Sequence, residues 1–580
     1  MCKNQKMAKL TIIENPVDVI IKNNRTTESL TINRATGHGT VNLLPTLEKN
    51  NLKKSKTHYV KGIYGQISLQ RCSYLICVKS SSKVAKLWNG HSVYEIKKVI
   101  FVRLKNLDTR KSDKLDLKKL NMFFKVPGLY YSDYPIYKSY VDQKYGEIDF
   151  LFNQRLLKEF DDANRGNCEN FLLKCFQGYI KSQTINKINI LLISRRAYNN
   201  VGMRFFSRGV NNCGYPANYV ETEQLISDGK TVTSYVQVRG SIPLKWKHEI
   251  GLKLNPKIIF ESKDISLESD ELFRLHYGDV FYINLIQHKN YEKVINDVYT
   301  HELAKENIQH INFDFKNRKM DTKEEIRNQF IENIRSYVDS QGFTVNEKEQ
   351  IGILRTNCID CLDRTNIVQY LIGMFVLRRQ YSEVLRREKK LKNNTKSGES
   401  HHRKHSSVSL KASKETTIED LYIEKTPEYD KIVKKFQQFW YENGNYLSIQ
   451  YSGTPSLKSH IICAGNQNFV GLMKDLKNTV IRYFLNRLYH GDLTDGYLLA
   501  TGNFLKMRRI SNFRAGIKFL IYAFILVSIL AALYTDFETI NKEKMYGIFA
   551  TISMFLITII YHFFNYFINK PTFIYNHLAE

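Results

Sequence analysis

The spacing of apolar residues first indicates a β-rich region near the N-terminus. Runs such as YGQISLQRCSYLICV (64–78) and YEIKKVIFVRL (94–104) are rich in strand-forming residues and are separated by glycines. This pattern is typical of short β-strands joined by turns. The stretch FLFNQRLLKEF (150–160) then has the pattern of a helix start. We therefore predict a first domain over residues 59–160, preceded by an N-terminal extension at 1–58.

From residue 161 to about 505, strand-like runs alternate with helical patterns. INILLISRRA (188–197) and VFYINLIQ (280–287) are strand candidates, whereas TKEEIRNQFIENIRSYVDSQG (322–342) has apolar residues at helical spacing and ends in glycine. Such alternation favours an α/β domain. The segment 386–415 is basic, polar and nearly free of large apolar side chains. We predict a disordered insertion there.

Two long apolar stretches follow, at residues 517–535 and 545–568. The first, with 19 residues, approaches the ~20 that a membrane-spanning helix needs, and the second, with 24, exceeds it. Such long apolar runs are unusual for the alternative, a pair of buried core helices. We therefore predict two transmembrane helices. Five basic residues between Lys506 and Lys518 precede the first stretch, against two in the intervening loop. The positive-inside rule then places the N-terminal domains and the C-terminal tail in the cytosol.

The net charge indicates the kind of partner, and the cysteine content indicates the redox compartment. The 580 residues include 86 Lys and Arg against 57 Asp and Glu, a formal net charge of +29. Such an excess favours an anionic partner, either nucleic acid or a membrane surface. We find no nucleic-acid recognition motif, so an anionic membrane surface is the expected partner. The nine cysteines are odd in number and unevenly spaced, which argues against a disulfide framework and favours a reducing compartment.

The stretch ILRTNCIDCLDRTNIVQYL (353–371) carries the candidate chemistry. Its Cys358 and Cys361 could form half of a zinc site or a redox pair, but no second pair with ligand spacing lies nearby. A strand, a loop and a helix beginning near Thr365 would instead turn backbone N–H groups and the helix dipole towards one point. That geometry binds phosphate and lowers the pKa of a thiol at the start of the loop.

Each polar residue of this loop then has an expected role. Cys358 would attack phosphorus in line, forming a covalent thiophosphate that water hydrolyses, with no metal or cofactor required. Arg364 would bind two phosphate oxygens, and the Thr365 hydroxyl would hydrogen-bond the thiolate. Asp360 is the candidate general acid, although it could simply accept loop N–H bonds. Asp363 would orient Arg364 or cap the helix.

The string RTNCIDCLDRTN (355–366) resembles the signature of the Sac-domain phosphoinositide phosphatases. Further segments occur in that family's order and spacing: RFFSRGVNNCGYPANYVETEQ (204–224), QVRGSIPLKW (237–246), HYGDVFYINLI (276–286), FDF (313–315) and LSIQYSGTPSLK (447–458). The resemblance covers about residues 60–505. It implies a β-rich N-terminal Sac module, then an α/β cysteine-phosphatase-like catalytic domain with a P-loop. The apolar C-terminal pair resembles the family's membrane-anchored branch of the endoplasmic reticulum and Golgi.

The resemblance also implies a substrate and roles for residues. The substrate would be a monophosphorylated phosphatidylinositol, chiefly the 4-phosphate, with Cys358 as nucleophile, Arg364 as phosphate clamp and Asp360 as acid. Candidate substrate-binding residues, which could also be ordinary solvated charges, are Arg204, Arg208, Asn218, Arg239, Lys245 and Lys247. Two departures leave substrate preference open: Lys316 follows FDF, where the family usually has His, and Asn445 stands at a common Asp position.

Two other functions stay open at this point. The loop could bind phosphoinositide without turnover, as in a scaffolding protein, or the chain could be a protein-tyrosine or dual-specificity phosphatase with a deep pocket. The intact Cys358, Asp360 and Arg364 favour an enzyme.

Overall fold

A computed structural model describes most of the chain. The described ranges are 9–26, 28–34, 39–43, 55–70, 72–106, 113–140, 150–160, 168–251, 253–320, 323–397, 426–465, 468–506 and 568–574. The strands are β1 (Leu10–Glu14), β2 (Asp18–Asn23), β3 (Glu28–Asn33), β4 (Gly39–Leu43), β5 (Lys56–Val60), β6 (Gly62–Ser68), β7 (Cys72–Lys86), β8 (Ser92–Asn106), β9 (Leu129–Ser132), β10 (Cys175–Ile185), β11 (Ile188–Arg196), β12 (Val220–Ser227), β13 (Val232–Arg239), β14 (Leu244–Glu249), β15 (Lys257–Ile265), β16 (Asp279–Asn284), β17 (His310–Asn312), β18 (Thr344–Val345), β19 (Gly352–Asn357), β20 (Leu505–Lys506) and β21 (Phe573–Ile574). The α-helices are α1 (Lys114–Phe123), α2 (Gln154–Lys158), α3 (Leu267–Tyr277), α4 (Lys293–Lys305), α5 (Glu324–Gln341), α6 (Asp363–Ser397), α7 (Pro427–Ser452), α8 (His460–Ala464), α9 (Phe469–Leu488) and α10 (His490–Thr501).

The predicted N-terminal extension contributes to a five-stranded antiparallel sheet in the order β4-β3-β2-β1-β5. Alternate residues of its strands are buried, among them Leu10 and Ile12 of β1 and Val19 and Ile21 of β2. This period of two is the pattern of a sheet that buries one face.

The second sheet has twelve strands and spans both predicted soluble domains. Its order is β17-β16-β19-β13-β12-β11-β10-β9-β8-β7-β6, with β18 paired to β13. Neighbours from β6 to β13 are antiparallel, whereas β13, β19, β16 and β17 run parallel. The strands of residues 59–160 thus continue, through the β9–β10 pair, into those of residues 161–505. The predicted boundary at 160 stays a prediction.

Helices cover both faces of the parallel part of the sheet. Phe281 of β16 belongs to a core with α5, α6 and α7, whereas the adjacent Tyr282 belongs to a core with α3 and α4. Adjacent strand residues point to opposite faces, so β16 and its neighbours lie between two helical layers. This confirms the predicted α/β character of the region.

One helix prediction and one prediction of disorder have different outcomes. The helix expected over 322–342 is confirmed as α5, which ends at Gln341 before Gly342, whose φ of 67° suits glycine. The disordered insertion expected at 386–415 is helical in its first part, because α6 continues to Ser397. The rest of that segment lies outside the described residues.

The predicted fold class is corrected in one respect, its two transmembrane helices. Among the described residues, no helix is long and apolar enough to cross a bilayer, since α6, α7 and α9 all carry charged side chains along their length. The prediction is therefore wrong for the described structure. The stretches to which it was assigned, 517–535 and 545–568, lie outside the described residues apart from Ile568.

Candidate active site

The candidate loop joins the end of a central parallel strand to a helix. Strand β19 ends at Asn357, and α6 begins at Asp363, so residues 358–362 form the turn at the carboxyl edge of the parallel strands. Ligands of such sheets bind at this edge. Cys361 in the turn has a positive φ of 50°, which lets the chain reverse sharply. The predicted strand, loop and helix around Cys358 are confirmed.

The thiol of Cys358 is held at the helix N-terminus. Its side chain is buried, and its Sγ accepts hydrogen bonds from the Cys361 N–H at 3.0 Å and from the Thr365 hydroxyl at 3.4 Å. Burial alone would raise its pKa, but hydrogen bonding from Cys361, the charge of Arg364 and the Thr365 hydroxyl together lower the pKa of Cys358 to about 6. At neutral pH it is mostly thiolate, the nucleophilic form.

Cys361 has the opposite environment. Its Sγ contacts the carbonyl oxygens of Gly240 at 2.9 Å and Cys358 at 3.2 Å. Burial, followed by the hydrogen bond and charge of Cys358, raises the pKa of Cys361 well above its ordinary value. It is therefore a neutral thiol that can donate to these carbonyls.

Arg364 forms a bidentate ion pair with a carboxylate that the sequence analysis missed. Its Nη1 and Nη2 donate to Glu292 at 2.8 and 2.6 Å, and Nη1 also donates to the Leu285 carbonyl at 3.0 Å. Burial opposes the charge, yet Cys358 and Glu292 raise the pKa of Arg364. Glu292 also accepts the Gln287 N–H at 2.9 Å. The guanidinium therefore has a fixed orientation beside the thiolate.

Asp360 lies between two arginines. Arg204 donates to both carboxylate oxygens, at 3.0 and 2.7 Å, and Arg208 donates to Oδ1 and to the Ile359 carbonyl. Burial would raise the pKa of Asp360, but Arg204 and Arg208 lower it far below the usual range. A general acid must carry a proton, and this conformation holds Asp360 ionised. The geometry therefore gives no support to the acid role predicted for Asp360.

Of two further predicted residues, Asn218 bonds the loop and Arg239 bonds the start of α6. Asn218 donates to the carbonyls of Asp360 and Cys361, at 3.2 Å each. Arg239 is fully buried and donates to Asn366 at 3.3 Å, while its Nε and Nη1 have no hydrogen-bond partner among the described residues. Burial lowers the pKa of Arg239 to about 10, although Cys361 and Cys358 act to raise it. Arg239 thus adds a second positive charge near the thiols.

In the described part of the chain, the Asp363 carboxylate bonds neither Arg364 nor the first N–H groups of α6, the two roles predicted for it. Its carboxylate accepts from the Ser456 hydroxyl and the Leu457 N–H, both at 2.7 Å, and from Arg482 Nη1 at 3.0 Å. These bonds join the start of α6 to the segment after α7 and to α9. Asp363 is a structural bridge in this conformation.

The structure does not bring the predicted lysines to the loop. Lys247 is exposed on β14 and pairs with Glu261 of β15 at 2.7 Å, and Lys245 is half-buried on the same strand. Neither hydrogen-bonds residues 358–364 in the described part of the chain. Between them in the sequence, Trp246 does approach the site, because its ring packs under the Arg208 guanidinium at 5.4 Å.

His248 is a second residue that the sequence analysis missed. Its Nδ1 accepts from Arg208 Nε at 3.1 Å, and its Nε2 meets the Tyr291 hydroxyl at 2.7 Å. Burial first, and then Arg208, lower the pKa of His248 to about 2. This neutral imidazole therefore orients Arg208 towards Asp360. Neither it nor Glu292 lies in a recognisable motif.

Comparison with known proteins adds to this geometry. Residues 61–320 match the family model described as the SacI homology domain. An uncharacterized protein of Schizosaccharomyces pombe is 30% identical over 522 residues, which cover 84% of this chain and 80% of the relative. Phosphoinositide phosphatase SAC7 of Arabidopsis thaliana is 28% identical, covering 79% of this chain and 77% of the relative. Phosphatidylinositol-3-phosphatase SAC1 of Drosophila melanogaster is 29% identical, covering 77% and 75%.

Proposed function

The chain belongs to the SacI homology domain family, and we propose that it is a phosphatase of monophosphorylated phosphatidylinositols, chiefly the 4-phosphate, acting through a cysteinyl-phosphate intermediate. One observation carries the proposal: a buried Cys358 thiol with a pKa of about 6, at a helix N-terminus beside Arg364. The names of two relatives support the substrate class, phosphoinositides. One of those names specifies a 3-phosphate, so the assay below compares lipids phosphorylated at different positions of the inositol ring.

The proposed reaction has two displacements at phosphorus. In the first, the Cys358 thiolate forms an S–P bond while the bond from phosphorus to the inositol oxygen breaks, and the leaving alkoxide takes a proton. In the second, water attacks the phosphocysteine, the S–P bond breaks and the thiolate returns. Loop N–H groups and Arg364 stabilise the charge on the transferring group, with Glu292 orienting that guanidinium.

For Asp360 to donate the proton to the leaving alkoxide, its carboxylate must first become protonated when the substrate binds. We keep Asp360 as the proposed acid on the condition that the substrate phosphate replaces its carboxylate as partner of Arg204 and Arg208. The carboxyl would then lose the charges that lower its pKa, and burial would favour its protonated form. Asn218 and Arg239 stay proposed substrate-binding residues because both act on the loop, whereas Lys245 and Lys247 stay predictions.

The proposed site of action is an anionic membrane surface. The net charge of +29 supports this, since each Lys or Arg near such a surface adds attraction. The endoplasmic reticulum or Golgi location implied by the resemblance stays a prediction, which microscopy of the tagged full chain would check.

The deciding experiment measures phosphate release by the full chain from the three monophosphorylated phosphatidylinositols and from a phosphotyrosine peptide. A matched control is Cys463→Ser, which changes an exposed cysteine outside the loop. We expect release from lipid by the wild type and by Cys463→Ser, none by Cys358→Ser, and little from the peptide. Equal release by wild type and Cys358→Ser would refute the proposal. Lipid binding without release by the wild type would favour a scaffolding role.

A further inference from the structure

Helix α9 has its apolar and polar faces reversed. Its buried residues are Gly471, Arg482, Asn486 and Arg487. Apolar residues at helical spacing lie instead on its outer side, each between 50% and 75% exposed: Phe469, Leu472, Leu476, Val480, Phe484 and Leu488. We call these six the apolar face of α9. A contiguous exposed surface of this kind marks a site of interaction.

Buried polar contacts fix this orientation of the helix. Arg482 donates to Thr454 at 2.6 Å and pairs with Asp363 at 3.0 Å. Asp475 accepts the Lys458 N–H at 3.0 Å. Rotating the helix to bury its apolar face would leave the Arg482 charge without these partners, which is costly in a buried place. The apolar face therefore stays outward, and its cover must come from something other than the described residues.

Exposed cations and one more apolar side chain extend this surface. At the end of α9, Arg487 donates to the carbonyls of Gly251 and Lys253 in the β14–β15 turn, at 2.9 and 2.7 Å. In that turn Leu254 is 69% exposed. On the helix itself, Lys474 and Lys477 are exposed. Apolar residues with Lys alongside are the composition of a helix that lies in the interface of an anionic membrane.

We propose that the apolar face of α9, together with Leu254, inserts into the interfacial layer of an anionic lipid bilayer. This inference rests on the proposed function, for which the substrate is a membrane lipid. Charge complementarity selects this occupant, because the exposed Lys474 and Lys477 meet anionic headgroups while the apolar face meets acyl chains. Docking also positions the site, since Arg482 on the buried side of the same helix holds Asp363, which follows the Cys358 loop.

The first test measures insertion directly. The full chain with Phe484→Trp is mixed with vesicles of phosphatidylcholine and phosphatidylserine whose acyl chains carry bromine, which quenches nearby indole emission. The matched control is Ile351→Trp, because Ile351 is 65% exposed and precedes β19, at the opposite end of the strand from Cys358. After subtraction of wild-type emission, we expect quenching of at least about twofold for Phe484→Trp and little for Ile351→Trp.

No quenching of Phe484→Trp, in a protein that hydrolyses lipid in the same vesicles, would overturn the proposal. That result would indicate that something else covers the apolar face, such as residues 507–567 of this chain or a second copy of the protein.

The second test separates docking from chemistry. Full chain carrying both Leu476→Asn and Phe484→Asn is compared with Ile351→Asn on a short-chain monomeric phosphoinositide and on a long-chain phosphoinositide in vesicles. We expect the double variant to keep the short-chain rate within about twofold and to lose at least about tenfold on vesicles. Unchanged vesicle activity would overturn the docking proposal. If the wild type released phosphate from neither substrate, the proposed function would fail, and the quenching result would still decide whether α9 inserts.

Discussion

The Thr365 hydroxyl offers a measurable test of how the loop activates Cys358. The Cys358 pKa of about 6 lies about three below the ordinary value of 9.0, which corresponds to about 4 kcal/mol in favour of the thiolate. Thr365 supplies one of the contacts responsible, a hydroxyl 3.4 Å from Sγ. A hydrogen bond to a charged group contributes about 1.5–3 kcal/mol. Thr365→Val keeps the side-chain shape and removes the donor, so we expect the Cys358 pKa to rise to between about 7 and 8.

The assay is a titration of thiolate ultraviolet absorbance in the full chain. Subtracting the titration of the matching Cys358→Ser protein isolates this one thiolate from the other cysteines. Thr501→Val is the control, because Thr501 is a buried helical hydroxyl that bonds the Tyr497 carbonyl of its own helix at 3.0 Å. We expect its midpoint to match the wild type. A wild-type midpoint near 9, or the same midpoint in Thr365→Val, would refute the account of the loop.

Three further predictions concern the surroundings of the loop. Glu292→Gln leaves Arg364 buried without its ion pair, so we expect a loss of about 3 kcal/mol in unfolding free energy by urea titration; a loss below about 1 kcal/mol would contradict it. Arg482→Met removes the bridge to Asp363, and we expect a comparable loss, whereas an unchanged urea midpoint would show that this bridge does not stabilise the fold. Finally, kcat/KM should rise as pH increases through about 6, because Cys358 must lose its proton to attack; a rate that fell over that range would point to another nucleophile.

The geometry of the loop was predictable because its determinants are close together in the sequence. Cys358, Arg364 and Thr365 lie within one strand–loop–helix unit, and the geometry of such a unit is fixed by local hydrogen bonding and the helix N-terminus. The helix α5 was predictable for a similar reason, since the periodicity of its apolar residues reports one buried face.

The partners of these residues were not predictable, because they come from distant segments. Glu292 and His248 have no motif, and their roles depend on how the parallel strands bring loops together at one edge. The acid role of Asp360 was assigned from its spacing to Cys358 and from the family resemblance. The structure adds Arg204 and Arg208, which reverse the expected protonation state.

The helix α9 shows a different limit of prediction from sequence. Periodicity predicts that a helix is amphipathic, but it does not say which face is buried. The usual assumption buries the apolar side, and here four polar or small residues are buried instead. The reason is the Asp363 carboxylate at the start of α6, which needs a cation and receives Arg482. Long-range polar contacts such as this ion pair can therefore reverse a local pattern.

The ion pairs around the loop limit how strongly its arginines can bind an incoming phosphate. In the described conformation Arg364 is paired with Glu292, and both Arg204 and Arg208 with Asp360. A phosphate dianion therefore gains Arg204 and Arg208 only by exchange with Asp360, and it meets an Arg364 charge that Glu292 already offsets, so the net gain is much smaller than for free cations. Part of the affinity for the substrate must then come from elsewhere. A lipid substrate presented at a membrane on which α9 is docked supplies it, because docking makes the encounter two-dimensional and raises the effective concentration of headgroups at the loop.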